Sequence, residues 1–291
     1  MIRMILQGGL GNQMFEYASA VAMANEMHTS LVLDTSIFDV YGDRAWCRPY
    51  ELGIFALSDG ATLESKRHLA VRFLSKLRAY CRKKGRTHFG HYYFDTNVAD
   101  ISYKQSNIDL YGYFTNCHLF APYREVLLKA FAFKEQPNKA NLAILKEIDC
   151  CESVSVHIRR EDYLNSTNAQ MFYTPSVTWY RKAIDEINKE FSDVRLFFFS
   201  DDIAWAKKQF SDLTNAVFVD INHGKDAYND MRLMSRCKHN IIANSSFSWW
   251  GAWLNTNPDK VVIAPAKYYM DEESNNKYRS NMIPNEWIIS E

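Results

Sequence analysis

Ser153-Val154-Ser155-Val156-His157-Ile158-Arg159-Arg160-Glu161-Asp162-Tyr163 is the stretch whose reading decides the fold. Val154, Val156 and Ile158 alternate with Ser155, His157 and Arg159, which is the period of a short β-strand rather than a helix. Such a strand delivers a histidine, two arginines and two acids to one point at its carboxyl end. Open α/β sheets bind ligands outside the carboxyl ends of their strands. Planar guanidinium groups there suit a phosphate or carboxylate, which they clamp through bidentate, charge-assisted hydrogen bonds. The competing reading is a surface cluster in which Arg159 and Arg160 pair with their own neighbours, Glu161 and Asp162.

Downstream the pattern repeats. A helix is expected over 178–191, a strand over 195–199 ending in Ser200-Asp201-Asp202, and a helix over 203–210. A strand at 216–219, a helix at 226–237 and a strand at 240–243 follow, the last running into Asn244-Ser245-Ser246 and a helix at 247–254. A strand at 261–264 closes the set, and the tail after Ala266 reads as polar and irregular. Five strands alternating with helices predict a parallel, doubly wound sheet. Three polar strand ends then share one edge: His157/Arg159/Arg160, Asp201/Asp202 and Asn244/Ser245/Ser246. Arginine and a serine-rich helix start suit phosphate, and a carboxylate suits the N–H groups of guanine or the hydroxyls of ribose. Asp201-Asp202 also raises the question of a metal, but the chain has no Asp-x-Asp; arginine neutralising a leaving diphosphate is preferred to a divalent ion. Trp249, Trp250 and Trp253 read mostly as core.

Upstream, the apolar run 2–6 enters Gly8-Gly9-Leu10-Gly11-Asn12-Gln13, a helix reaches to Met27, and a strand over 31–33 ends in Asp34. Strand, glycine loop and helix can meet an anion through backbone N–H groups. A dinucleotide fingerprint is a possible reading, with Asp34 as its acidic residue, but the third glycine would fall at Met14. Asn12 and Gln13 instead carry amides able to bind sugar or phosphate; the plainer alternative is a tight turn needing glycine. Between Ser65 and His88 lie nine lysines and arginines and no acid. Leu69, Phe73, Leu77 and Cys81 recur four apart, with Leu74 and Tyr80 beside them, an amphipathic basic helix. It reads either as contact with anionic lipid or, as preferred here, as a core-facing helix with a solvated cationic face. A further strand is expected at 108–114, helices at 118–131 and 139–148, and a domain crossing near 149–152.

The 291 residues suffice for two modest domains. At 47% hydrophobic residues, with 34 basic and 34 acidic side chains, the chain is globular and has no global drive toward nucleic acid. Six cysteines show neither metal spacing nor C-x-x-C, which fits reduced thiols in the cytoplasm. No apolar run reaches the ~20 residues that span a bilayer, and the first residues read as a strand rather than a signal peptide. The expected location is the cytoplasm, with peripheral contact at the inner membrane face left open.

Gly8-Gly9-Leu10-Gly11-Asn12-Gln13-Met14-Phe15 with Ala18, His157 to Tyr163, and Asn244-Ser245-Ser246-Phe247-Ser248-Trp249-Trp250-Gly251-Ala252-Trp253-Leu254 together resemble the signatures of the bacterial α-1,2-fucosyltransferases of glycosyltransferase family 11. Tyr111-Gly112-Tyr113-Phe114 and Phe199-Ser200-Asp201-Asp202 also fit, so the resemblance spans nearly the whole chain. It implies a GT-B-like enzyme with two Rossmann-like halves facing a cleft: an acceptor-side domain at 1–150 and a domain binding the GDP-sugar at 151–291. It further implies inverting, metal-independent transfer of L-fucose from GDP-L-fucose to the 2-hydroxyl of a terminal β-galactoside, with no cofactor. By that resemblance Arg159 grips the β-phosphate, His157 lies by the nucleoside or pyrophosphate, and Arg160 supports the loop. Asp201 or Asp202 reads guanine, while Asn244, Ser245, Ser246 and the Phe247 backbone line the phosphates. The loop carrying Gly9, Gly11, Asn12 and Gln13 reaches toward the pyrophosphate or fucose. Asp162 is the preferred base, with Glu161 as alternate. The readings from other classes are a nicotinamide oxidoreductase and a non-catalytic protein that binds GDP-sugar or glycan.

Overall fold

The computed structural model describes residues 1–44, 47–57, 60–94, 101, 106–165 and 168–291, apart from the side chains of residues 161 and 162. The chain divides into two compact units, Met1–Glu135 and Gln136–Glu291. Each is organised on a six-stranded sheet.

The first unit runs β1 (Ile2–Ile5), α1 (Leu10–Glu26), β2 (Leu31–Asp34), α2 (Ser36–Tyr41), β3 (Ala61–Glu64), α3 (His68–Lys83), β4 (His88–Phe89), β5 (Tyr92–Phe94), β6 (Ile108–Tyr111), α4 (Cys117–Phe120) and α5 (Arg124–Ala130). Strand order is β3-β2-β1-β6-β5-β4, parallel except for the β4–β5 hairpin. β2 and β6 are buried along their whole length, as parallel strands covered on both faces must be. The expected helix over 118–131 is broken between α4 and α5, where Pro122 occupies a 3-10 turn and supplies no N–H to continue an α-helix.

The second unit comprises α6 (Lys139–Asp149), β7 (Glu152–Ile158), α7 (Val177–Glu190), β8 (Val194–Ser200), α8 (Ile203–Gln209), β9 (Ala216–Phe218), α9 (Tyr228–Met234), β10 (His239–Ile241), α10 (Ser246–Leu254), β11 (Val262–Pro265), α11 (Glu272–Met282) and β12 (Ile288–Ser290). Its order is β12-β11-β10-β7-β8-β9, parallel throughout. Helix starts are fixed by side-chain caps: Asn138 on Asn141, Ser176 on Trp179, Asp202 on Trp205, Ser245 on Phe247 and Asp271 on Ser274. Trp249, Trp250 and Trp253 are buried as expected, and Gly251 lets α9 close on α10, since a Cβ there would stand 3.0 Å from Met234 Cβ.

Three expectations are corrected. The tail is not irregular: α11 and β12 add a sixth strand, with Asn275 taking the Tyr268 and Tyr269 N–H groups at 2.8 Å each. The units divide at 135/136 rather than at 150, because α6 belongs to the second one. Asn141 exchanges amide hydrogen bonds of 2.8 and 2.9 Å with Asn222, and Asp149 pairs with Arg236 at 3.0 Å. Finally, the buried face of α3 carries Val71, Leu74 and Cys81, whereas Leu69 and Phe73 are 84% and 58% exposed. No helix among the described residues is long and apolar enough to cross a membrane.

Candidate active site

The strand order of the second sheet changes direction between β7 and β10: β8 and β9 continue on one side of β7, whereas β10 and β11 lie on the other. Such a switch point opens a crevice at the carboxyl edge. The ends of β7 and β10 therefore bring His157, Arg159, Asn244 and Ser245 together, although more than eighty positions separate them in the chain.

His157 is 5% exposed at the end of β7. Burial, and after it the charge of Arg159, push its imidazole down to about 3, so the ring is neutral at physiological pH. Its backbone carbonyl accepts from Tyr180 Oη at 3.1 Å, the ring lies 5.9 Å from that of Phe247, and Nδ1 has no hydrogen-bond partner among the described residues. Asn244 is fully buried. Its Nδ2 donates to the Tyr173 and Tyr268 carbonyls, and its Oδ1 has no partner among the described residues. Tyr163 Oη spans the switch point to the Asn244 carbonyl at 2.9 Å. Ser245 starts α10 by accepting from the Phe247 N–H at 3.3 Å.

Both arginines meet carboxylates at the end of the next strand, β8. Arg159 Nε lies 3.3 Å from Asp201 Oδ2, whose Oδ1 accepts the Arg160 N–H at 2.9 Å. Arg160 Nε meets Asp202 Oδ2 at 3.3 Å, and its guanidinium stacks 3.8 Å above the Trp205 ring. Asp202 also caps α8 through the Trp205 N–H at 3.1 Å. Asp201 and Asp202 thus orient the two arginines. Asp162 and Glu161 fall in a 3-10 turn over Glu161–Leu164, and their side chains lie outside the described residues.

A carboxylate missed in the sequence lies beyond β9. Asp230, in the first turn of α9, is pushed up to about 7 by burial, with Asp220 adding to the rise, and accepts from Asn222 Nδ2 at 2.8 Å. The neighbouring Asn229 is 5% exposed with no partner on Oδ1 among the described residues. The only sequence signal was position: Asp230 follows closely on a strand end of the same sheet.

The glycine loop is on the first unit, at its own switch point between β1 and β6. Gly8 has φ +72°, and a Cβ there would lie 2.9 Å from Asn12 Nδ2 and 3.1 Å from Tyr113 Cε1. Gly9 is extended at the start of α1 and Gly11 lies in its first turn. Gln13 is fully buried: Nε2 donates to the Gly8 and Pro49 carbonyls at 2.8 Å each, and Oε1 accepts from the Glu51 N–H at 2.9 Å. Both amide hydrogens are used inside the unit, so Gln13 braces the loop. The helix start is likewise taken, because Glu51 Oε2 accepts from the Leu10 N–H at 2.8 Å. Asp34, the acid of a dinucleotide reading, is buried against the Ser36 N–H and Arg67. Among the described residues no three His, Cys, Asp or Glu side chains form a metal-binding group.

Residues 91–291 match the profile of the family described as Glycosyl transferase family 11. The O-antigen biosynthesis glycosyltransferase WbnK of Escherichia coli is 34% identical over 97% of this chain and 98% of its own. An alpha-1,2-colitosyltransferase of the same species is 32% identical over 97% and 96%. In structure the chain resembles fucosyltransferase NodZ from Bradyrhizobium, with a TM-score of 0.55 at 15% identity over 86% of this chain and 91% of that one. That likeness carries the fold, two parallel-sheet α/β halves of GT-B type.

Proposed function

The chain belongs to glycosyl transferase family 11, and from that membership we propose that it moves L-fucose from GDP-L-fucose to the 2-hydroxyl of a terminal β-galactoside, inverting the fucose anomeric carbon. The observation that carries this reading is Arg159, standing at the switch point of the second sheet with its Nε on Asp201, beside a neutral His157 and the start of α10.

The acceptor oxygen attacks fucose C1 as the bond from C1 to the β-phosphate oxygen breaks, and the electron pair leaves with GDP. Charge grows on that oxygen, so a guanidinium fixed in advance is worth more than one that must be oriented during the reaction. Arg159 takes this role, with Ser245 and Ser246 at the start of α10 toward the phosphates. Neutral His157 offers a hydrogen bond without competing for the anion. The proton of the attacking hydroxyl is assigned to the Asp162 carboxylate. For guanine recognition Asp230, whose carboxyl is raised to about 7, is added to Asp201 and Asp202 as a candidate acceptor. The galactoside is assigned to the first unit's switch point, where Tyr113 is 40% exposed and Gln7 Nε2 is buried with no partner among the described residues.

The test supplies GDP-fucose and lactose with EDTA present and follows 2′-fucosyllactose and GDP. Product carrying an α-linked fucose supports the reading, and activity lost to EDTA overturns its metal independence. Arg159→Ala should reduce kcat by about a hundredfold or more, as removal of a transition-state charge partner does. Since one relative is named an alpha-1,2-colitosyltransferase, GDP-colitose is run in parallel. A preference for it would move the donor to the 3-deoxy analogue of fucose and leave the site as described.

A further inference from the structure

Helix α3 has two apolar faces. One is inward: Val71, Leu74 and Cys81 are buried, and Arg78 turns to the same side, donating to Gln7 Oε1 at 3.1 Å and stacking 4.5 Å above the Tyr111 ring. The other is outward. Leu69, Phe73 and Tyr80 are 84%, 58% and 51% exposed. At 3.6 residues per turn they fall within about 40° of one another, opposite Val71 and Arg78.

Lys76 and Lys83 lie on the same outward face, and Arg72 flanks it. Of the nine cations between Ser65 and His88, Arg67 is committed inward to Asp34 and Asp109 and Arg78 to Gln7. The other seven, Lys66, Arg72, Lys76, Arg82, Lys83, Lys84 and Arg86, are exposed, with no acid in the segment. A solvated cationic helix has no use for a leucine, a phenylalanine and a tyrosine aligned at the centre of its outer face. An interfacial helix does, since apolar side chains enter the acyl boundary while the flanking cations meet anionic headgroups.

We propose that the outward face of α3 is a membrane-binding surface that seats this protein on an anionic lipid bilayer. Charge selects the partner. Two copies meeting through this face would set cation against cation, whereas a leaflet rich in anionic lipid satisfies both the charge and the apolar stripe. The proposal does not depend on the donor or acceptor assigned above.

The test is co-sedimentation of the full chain with vesicles of phosphatidylcholine, with and without phosphatidylglycerol, at physiological salt. Binding is expected with phosphatidylglycerol present and is expected to fall steeply without it or at high salt. The variant Arg72→Glu/Lys76→Glu/Lys83→Glu should lower partitioning by about a hundredfold. Leu69→Ser/Phe73→Ser/Tyr80→Ser should lower it by more than about tenfold. Both should keep the parent's thermal melting, because every altered side chain faces solvent. No binding to anionic vesicles overturns the proposal, as does binding unchanged in both folded variants. So does a parent that sediments as a dimer which the apolar variant dissociates, because the face would then join two copies.

Discussion

At the scale of single residues, each arginine of the 157–163 motif is matched to an aspartate one strand away, and two shifted groups of the second unit, His157 and Asp230, pull stability in opposite directions. His157 ionises near 3 in the folded chain against 6.5 unfolded. Between those values the unfolded chain binds a proton that the native chain refuses, so stability is intact above 6.5 and is lost as pH falls through the window. Replacing it by His157→Gln should flatten the pH dependence of Tm between about 3 and 6.5, read by calorimetry. Asp230 has the opposite sign. With its value raised from 3.8 to about 7, its contribution is complete below 3.8 and is lost as pH rises through 7. If the ionised carboxylate accepts from guanine, GDP affinity should weaken as pH falls below about 7. Asp230→Asn should abolish that dependence and cost GDP at least about tenfold in titration calorimetry; unchanged affinity would remove Asp230 from the base site.

At the scale of elements, two helices show how far local pattern reaches. The sequence places α10 correctly because Ser245 is a good cap and the run after it is apolar, and the structure buries that run against α9. Gly251 sets that approach. Gly251→Val should cost about 1–3 kcal/mol of stability by overpacking against Met234, seen as a lower denaturation midpoint with an unchanged slope. In α3 the periodicity is equally clear, yet the wrong stripe is read as core. Leu69, Phe73, Leu77 and Cys81 recur at least as regularly as Val71, Leu74 and Cys81. Contact with α2 and with Ile5, Phe94 and Tyr111 of the sheet selects the second. The tail was missed for a related reason: α11 is polar, and β12 is three residues long, too short to show a period.

At the scale of the whole molecule, the chain carries two sheets, each with a switch point, and the division between units follows contacts rather than composition. A flexible linker inserted between Glu135 and Gln136 should leave thermal stability nearly unchanged. The same insertion between Asp149 and Cys150 should lower Tm by several degrees, because it loosens α6 from Asn222 and Arg236; equal effects would place the boundary elsewhere. What the sequence by itself determined is the alternating plan of the second half, and with it the strand ends carrying His157, Arg159, Asp201 and Ser245. Strand period and caps are written in neighbouring residues, and parallel winding forces those ends to one edge. What only the tertiary structure decided is who answers whom there. Asp201 and Asp202 hold the arginines, Gln13 and Glu51 close the glycine loop, Asp230 is buried against Asn222, and α3 turns its second apolar stripe outward. Each of those outcomes depends on strand order and burial between residues distant in the chain, where local pattern carries no information.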